Sequence, residues 1–249
     1  MKESFLRQME QELGQIGIHL EKKQMNQFYQ YMEMLVETNK VMNLTAITEE
    51  KEIITKHFVD SLSLIKVLTE LKEEKTLRII DVGTGGGFPG IPLKIAFPSC
   101  QITLLDSLQK RVKFLEEVCR QLGLRDIEAV HGRAEDMGQK ADYRERYDCA
   151  VSRAVANLST LSEYCLPFVK TGGVFISYKS GEVEEEAEAA KKAIQILGGK
   201  LEEVYPFLLP DTEMKRSFVK IRKVKETGKR YPRKAGMPAK EPLGGKSKS

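Results

Sequence analysis

The chain has 249 residues, 41% of them hydrophobic and 31% charged, which is the balance of a globular protein able to bury a full core. No stretch approaches the ~18 uninterrupted apolar residues that a membrane span needs. The N-terminus lacks the basic-then-apolar pattern of a secretory leader, so a cytoplasmic protein without membrane contact is expected. The net charge of +4 hides an asymmetry: residues 215–249 hold thirteen Lys and Arg against Glu226 and Glu241, a net +11 that leaves −7 on the rest. A basic tail on an acidic body points to a polyanionic partner. Cys100, Cys119, Cys149 and Cys165 form no C-x-x-C pair and read as buried thiols, while His19, His57 and His131 lack metal-ligand spacing; no metal is expected.

Residues 1–70 read as a helical cap. Phe28, Tyr31, Met32, Leu35 and Val36 repeat at the spacing of an amphipathic helix, and Ile53, Ile54, His57, Phe58, Ser61, Leu62 and Ile65 form a second stripe. Thr48 is placed as the N-cap of that second helix, with Glu49 and Glu50 in the first turn. His57 lies on an apolar face and reads first as a core histidine; Asn39 and Asn43 read first as capping residues.

From residue 77 strands and helices alternate. An apolar run at 77–82 contains Asp81 and passes through Gly83, Gly85, Gly86 and Gly87 into a helix expected at 89–97, with Pro89 in its first turn. A strand–glycine turn–helix presents backbone N–H groups at a strand tip, the usual place for a nucleotide-like ligand. Gly85, Gly87 and Gly90 match G-x-G-x-x-G, but that pattern alone is weak. The carboxylate of Asp81 would repel a pyrophosphate and attract the amino group of S-adenosylmethionine (AdoMet), and Pro89 removes a donor that a pyrophosphate would use. The next strand, 101–105, ends at Asp106, an acid positioned to accept hydrogen bonds from ribose hydroxyls. AdoMet is therefore the expected cofactor, and an NAD(P)-dependent oxidoreductase is the competing enzyme reading.

Helix 108–122, strand 127–130, a short helix near Glu135, strand 147–151, helix 158–168, strand 174–178 and helix 183–197 follow. Two β-type runs, 201–207 and 217–224, then succeed one another without a helix and should pair antiparallel. The expected fold is α/β: a Rossmann-like, seven-stranded, mostly parallel sheet with an N-terminal helical cap. Three regions are expected: a cap at 1–70, an AdoMet-binding methyltransferase domain at 71–227, and a basic arm at 228–249. The arm is proline-spaced and poor in apolar residues, so it should be extended or disordered when free. Lys229, Arg230, Arg233 and Lys234 around Tyr231 suit phosphate contacts and a base stack.

At this level the residues carry a family resemblance over essentially the whole chain. The loop Asp81-Val82-Gly83-Thr84-Gly85-Gly86-Gly87-Phe88-Pro89-Gly90 resembles that of the bacterial small-subunit rRNA guanine-N7 methyltransferases (RsmG, formerly glucose-inhibited division protein B). Asn43-Leu44-Thr45, His57-Phe58-Val59-Asp60-Ser61, His131-Gly132-Arg133-Ala134-Glu135, Ser152-Arg153-Ala154 and Arg230-Tyr231-Pro232-Arg233-Lys234 agree. The resemblance implies that Gly83 and Phe88 contact AdoMet, that Asp106 is the ribose acid, that Ala134 and Glu135 lie along the adenine, and that Arg153 lines the site. It implies 16S rRNA of the small subunit as partner; a monomer is expected. Guanine N7 carries a lone pair and no proton, so no general base is needed, and no Asp-Pro-Pro-Tyr-like motif or cysteine nucleophile past a strand end is present. An assembly factor that binds AdoMet and RNA without turnover is the non-enzymatic alternative.

Overall fold

The computed structural model describes residues 1–73 and 76–245. Two helices open the chain, α1 (Glu3–Gln15) and α2 (Lys22–Met42). A capping box starts α2, with Gln24 reaching back to the Glu21 backbone, and Asn43 in the left-handed region ends it. The second apolar stripe is not one regular helix. It runs as α3 (Glu50–Ile53), a π-helical turn (Ile54–Val59), α4 (Asp60–Leu62) and a 3-10 turn (Ser63–Lys66). Its cap is Glu49 rather than Thr48, without a side-chain bond. The π turn leaves the stripe buried and frees the Lys56 carbonyl for a partner outside the helix.

The sheet is built from β1 (Arg78–Val82), β2 (Gln101–Asp106), β3 (Ile127–His131), β4 (Tyr147–Ser152), β5 (Val169–Ser180), β6 (Gly199–Leu208) and β7 (Lys215–Lys223). Its order is β3-β2-β1-β4-β5-β7-β6. The first five strands in that order are parallel, and β7 runs antiparallel to both β5 and β6. Between them lie α5 (Gly90–Ala96), α6 (Gln109–Gln121), α7 (Ala134–Met137), α8 (Leu158–Cys165) and α9 (Glu184–Ile196), with α10 (Met237–Lys240) near the end. The chain steps outward from β1 through β2 to β3, then returns to start β4 on the other side of β1. The crevice at this reversal, above the C-terminal strand ends, is where open α/β sheets bind ligands.

Strand alternation sends successive side chains to opposite faces and so makes two cores. Ile79, Ile102, Leu104, Val151 and Ile176 face α1 to α6; Ile80, Val82, Leu105, Ala150 and Phe175 face α8, α9 and the C-terminal segment. Residues 1–70 thus share one apolar core with the sheet. They also touch the glycine loop directly, because the fully buried Tyr31 hydroxyl donates to the Gly86 carbonyl at 2.5 Å. No helix among the described residues is long and apolar enough to cross a membrane.

The C-terminal segment departs from expectation. Residues 228–245 are packed against the sheet domain rather than extended, and residues 246–249 lie outside the described ones. Arg144 holds the segment with hydrogen bonds to the carbonyls of Thr227 (2.6 Å) and Tyr231 (2.8 Å). Tyr231 belongs to the second core at 6% exposure, so its ring is unavailable for the base stack expected of it. Lys223, entirely buried, donates to the carbonyls of Leu166 and Val169 and to the Thr227 hydroxyl. The segment compensates for its few apolar residues with backbone carbonyls that meet the half-buried Arg144.

Candidate cofactor and acceptor site

Two cavities open side by side at the C-terminal strand ends and share the wall Ala154, Val155 and Ala156. The first, about 640 Å³, is lined among others by Gly83, Asp106, Arg111, Ala134, Glu135 and Tyr164. Its size and mixed lining suit a small-molecule cofactor. The second, about 650 Å³, is lined by Lys56, His57, Asp60, Arg153, Lys179 and Arg216 among others.

Of the residues expected to hold the cofactor, Gly83, Asp106, Ala134 and Glu135 line the first cavity. Gly83 has a φ of +75°, a left-handed conformation that a side chain would strain. Asp106 accepts from the Gly85 N–H through Oδ2 and from the Leu108 N–H through Oδ1, both at 2.9 Å, with Arg111 at 3.5 Å. Gly85 therefore contributes by orienting that carboxylate, since it does not itself line the cavity.

Asp81 lines neither cavity. It is fully buried beneath the loop, where Oδ2 accepts from Thr84 Oγ1 at 2.7 Å and from the Gly90 N–H at 2.8 Å. Burial pushes its carboxyl up to about 6, against the pull of those two hydrogen bonds. Its Oδ1 is a buried acceptor without a partner among the described residues. Gly90 must be glycine here: a Cβ would stand 2.2 Å from Leu104 Cδ2 and 3.1 Å from the Asp81 carboxylate.

Phe88 and Arg153 belong to the second cavity's side. Phe88 is 5% exposed and lines neither cavity; it stacks on His57 at 4.4 Å between ring centroids, and the Arg153 guanidinium lies 5.0 Å over its ring. Arg153, just past the end of β4, lines the second cavity and not the first. It donates to the Lys56 carbonyl (3.1 Å), Asp60 Oδ2 (3.0 Å) and His57 Nδ1 (3.0 Å). Asp60 also meets Arg216 at 3.2 Å, and Lys179 pairs with Glu186 at 2.7 Å. Arg153 thus pairs with an acid and lines the second cavity, not the cofactor cavity to which the family resemblance assigned it.

His57 is likewise both core residue and lining residue. A guanidinium can only donate, so Nδ1 accepts and the proton sits on Nε2, which donates to Thr45 Oγ1 at 2.8 Å. Burial and the neighbouring Arg153 lower its pKa from 6.5 to about 3. Asn39, through Oδ1, accepts from the Thr45 N–H and holds the other end of this chain.

The His57 shift has a measurable consequence. Between about pH 3 and 6.5 the unfolded chain binds a proton there that the folded chain refuses, so stability falls as pH drops through this window and is level above it. Asp81 slopes the other way between 3.8 and about 6, because the folded state holds its proton more tightly. His57→Gln keeps an acceptor for Arg153 and a donor for Thr45. Relative to wild type, it is expected to gain about 2 kcal/mol in denaturant unfolding between pH 7 and 4.5. Parallel pH profiles for the two proteins would contradict the buried, neutral His57.

Asp60, Lys179 and Arg216 were not singled out as site residues from the sequence. Arg216 arrives through strand register, opposite Ser180 across the β5–β7 pair, which no local pattern announces. Of the four basic residues placed on the arm as RNA contacts, Lys229, Arg230 and Lys234 are exposed, but Arg233 is not free. Its side chain is taken up by the carboxylate of Glu163, with Nη2 2.7 Å from Oε2.

A seven-stranded sheet of this order, a glycine loop after β1 and an acid at the tip of β2 beside a cofactor-sized cavity define a Rossmann-like AdoMet-dependent methyltransferase. A solved structure similar in fold is a putative sarcosine dimethylglycine methyltransferase from Galdieria sulphuraria (TM-score 0.52, 14% identity, covering 72% of this chain and 89% of that one). The family model for rRNA small subunit methyltransferase G (GidB) matches residues 24–219, and the chain belongs to this family. Among similar relatives is ribosomal RNA small subunit methyltransferase G of Lachnoclostridium phytofermentans, 56% identical over 94% of this chain and 95% of the relative. The protein of the same name from Acetivibrio thermocellus is 52% identical over 91% and 92% respectively.

Proposed function

We propose that this protein transfers the methyl group of AdoMet to N7 of a guanine in the 16S rRNA of the small ribosomal subunit. The observation that carries the reading is the common wall of residues 154–156, which sets an acid-bearing, cofactor-sized cavity against a second cavity rich in cations. In the first, Asp106 would hold the ribose hydroxyls, Ala134 and Glu135 would flank the adenine, and Gly83 leaves room for close backbone approach. Asp81 supports this cavity from below by fixing the loop, and its unpaired Oδ1 would suit an ammonium or water. AdoMet, when bound, supplies a methyl group already activated on a sulfonium. What remains for the protein is alignment and charge complementarity.

The second cavity would take the guanine. Lys56, Arg153, Lys179 and Arg216 bring four cations to its lining, against Asp60, Glu182 and Glu186. Val155 is fully exposed on the shared rim, where an unstacked base would meet it. N7 carries a lone pair and no proton, so transfer to it asks no general base of this lining. His57 has spent its Nδ1 lone pair on Arg153, and burial pushes the thiols of Cys149 and Cys165 upward, away from the thiolate form. The direct test is transfer of labelled methyl from AdoMet to ribosomal subunits from cells lacking this protein. Label should enter the RNA of the small subunit and not of the large one; label in neither, with AdoMet bound, would favour the non-catalytic reading.

The exposed Lys229, Arg230 and Lys234 would contact phosphate. Changing all three to Ala is expected to weaken small-subunit rRNA binding and flatten its log–log salt slope by about 2, at roughly 0.7 per lost contact. An unchanged slope in filter binding would remove these residues from the interface.

A further inference from the structure

The C-terminal segment reaches the cofactor cavity itself. Gly236 and Ala239 are among its lining residues. The Gly236 N–H donates to Glu135 Oε1 at 2.9 Å, and Thr160 Oγ1 donates to the Pro238 carbonyl at 3.0 Å; Glu135 and Thr160 line the same cavity. What fastens this stretch lies outside the cavity. Glu163, on α8, is fully buried, and its carboxylate accepts four hydrogen bonds from Arg233: from the backbone N–H (2.8 Å), from Nε (2.9 and 3.2 Å) and from Nη2 (2.7 Å). Nη2 of Arg233 also reaches the Glu241 carbonyl at 2.7 Å, past the far end of α10. A carboxylate carried into the interior needs its counter-charge, so the segment and α8 are committed to one arrangement.

We infer that residues 228–241 form a wall of the cofactor cavity, and that Arg233 and Glu163 are positioning residues that hold this wall in place. The inference rests on the assignment of the first cavity to AdoMet. It gives Arg233 a role in cofactor affinity rather than in phosphate contact. Loosening the wall lowers the fraction of molecules with a complete cavity, and apparent affinity falls by that same fraction. By reciprocity, AdoMet must fasten the segment that helps to bind it.

The test uses the full chain, with AdoMet affinity measured by calorimetry and kinetics measured with small subunits as acceptor. Arg233→Ala is expected to raise the Kd and KM for AdoMet about tenfold or more, with kcat recovered at saturating AdoMet; Arg233→Lys should fall between it and wild type. Ala239→Trp adds bulk at an exposed position that lines the cavity, and should also weaken AdoMet binding about tenfold. In the wild type, amide exchange over residues 228–241 should slow when AdoMet is added. Asp106→Ala separates the two levels of the argument. If Asp106→Ala loses AdoMet while folded Arg233→Ala and Ala239→Trp bind it as wild type does, the wall inference is overturned. If Asp106→Ala binds normally, the cavity assignment fails first. If Arg233→Ala does not fold, Ala239→Trp decides alone.

Discussion

Asp81→Ala is expected to raise the AdoMet dissociation constant at least about 100-fold while changing rRNA affinity less than about threefold. Asp81 holds both ends of the glycine loop, taking hydrogen bonds from Thr84 at the start and Gly90 at the end. Each is buried, and at roughly 1.5 kcal/mol or more apiece their joint loss amounts to about 3 kcal/mol. Asp81→Asn keeps an acceptor for both donors and should retain most of the affinity. Titration calorimetry with AdoMet, beside filter binding of rRNA, reads the two effects separately. Near-normal AdoMet binding by the folded alanine variant would show that the loop does not need this anchor.

Arg153→Ala is expected to cost about 100- to 1000-fold in kcat/KM for rRNA methylation, the scale on which losing one fixed charged donor acts. AdoMet affinity should stay within about threefold of wild type. The expectation follows from where Arg153 lies. It lines the second cavity, stacked over Phe88 and held by Asp60, His57 and the Lys56 carbonyl. Lysine cannot reproduce a planar fork with three acceptors and a stacked ring, so Arg153→Lys should rescue little. Asp60 keeps Arg216 as a partner in either variant, which limits the damage to the fold. A large loss of AdoMet affinity with normal rRNA binding would instead return Arg153 to the cofactor, as the family resemblance implied.

Those two residues illustrate what sequence reasoning reaches. The acid at the end of β1, the glycines after it and the acid at the end of β2 could be found because a βα unit repeats its spacing, and because buried strands read as apolar runs. The antiparallel β6–β7 pair could be found because no helix separates the two runs. The orientation of the Asp81 carboxylate could not, since it depends on Thr84 and Gly90 turning their donors inward. The second cavity has no motif. It is assembled from the π-helical turn that carries Lys56 and His57, the end of β4, and Lys179 and Arg216 on two strands that meet only in the sheet. The C-terminal segment misleads most. Its basic, proline-spaced composition resembles a free arm, whereas the groups that dock it, Arg144 and Glu163, lie some 70 to 90 residues earlier and carry no local sign of the task. Buried ion pairs between distant segments leave no periodicity in the sequence.

The most direct test of the central claim is the identity of the methylated atom. Small-subunit rRNA from cells lacking this protein would be methylated with the purified enzyme, digested to nucleosides and separated against standards. The site described above predicts 7-methylguanosine as the sole new nucleoside, in a yield approaching one per subunit. A methyl group on an exocyclic amine, on a pyrimidine carbon or on a ribose would contradict the account.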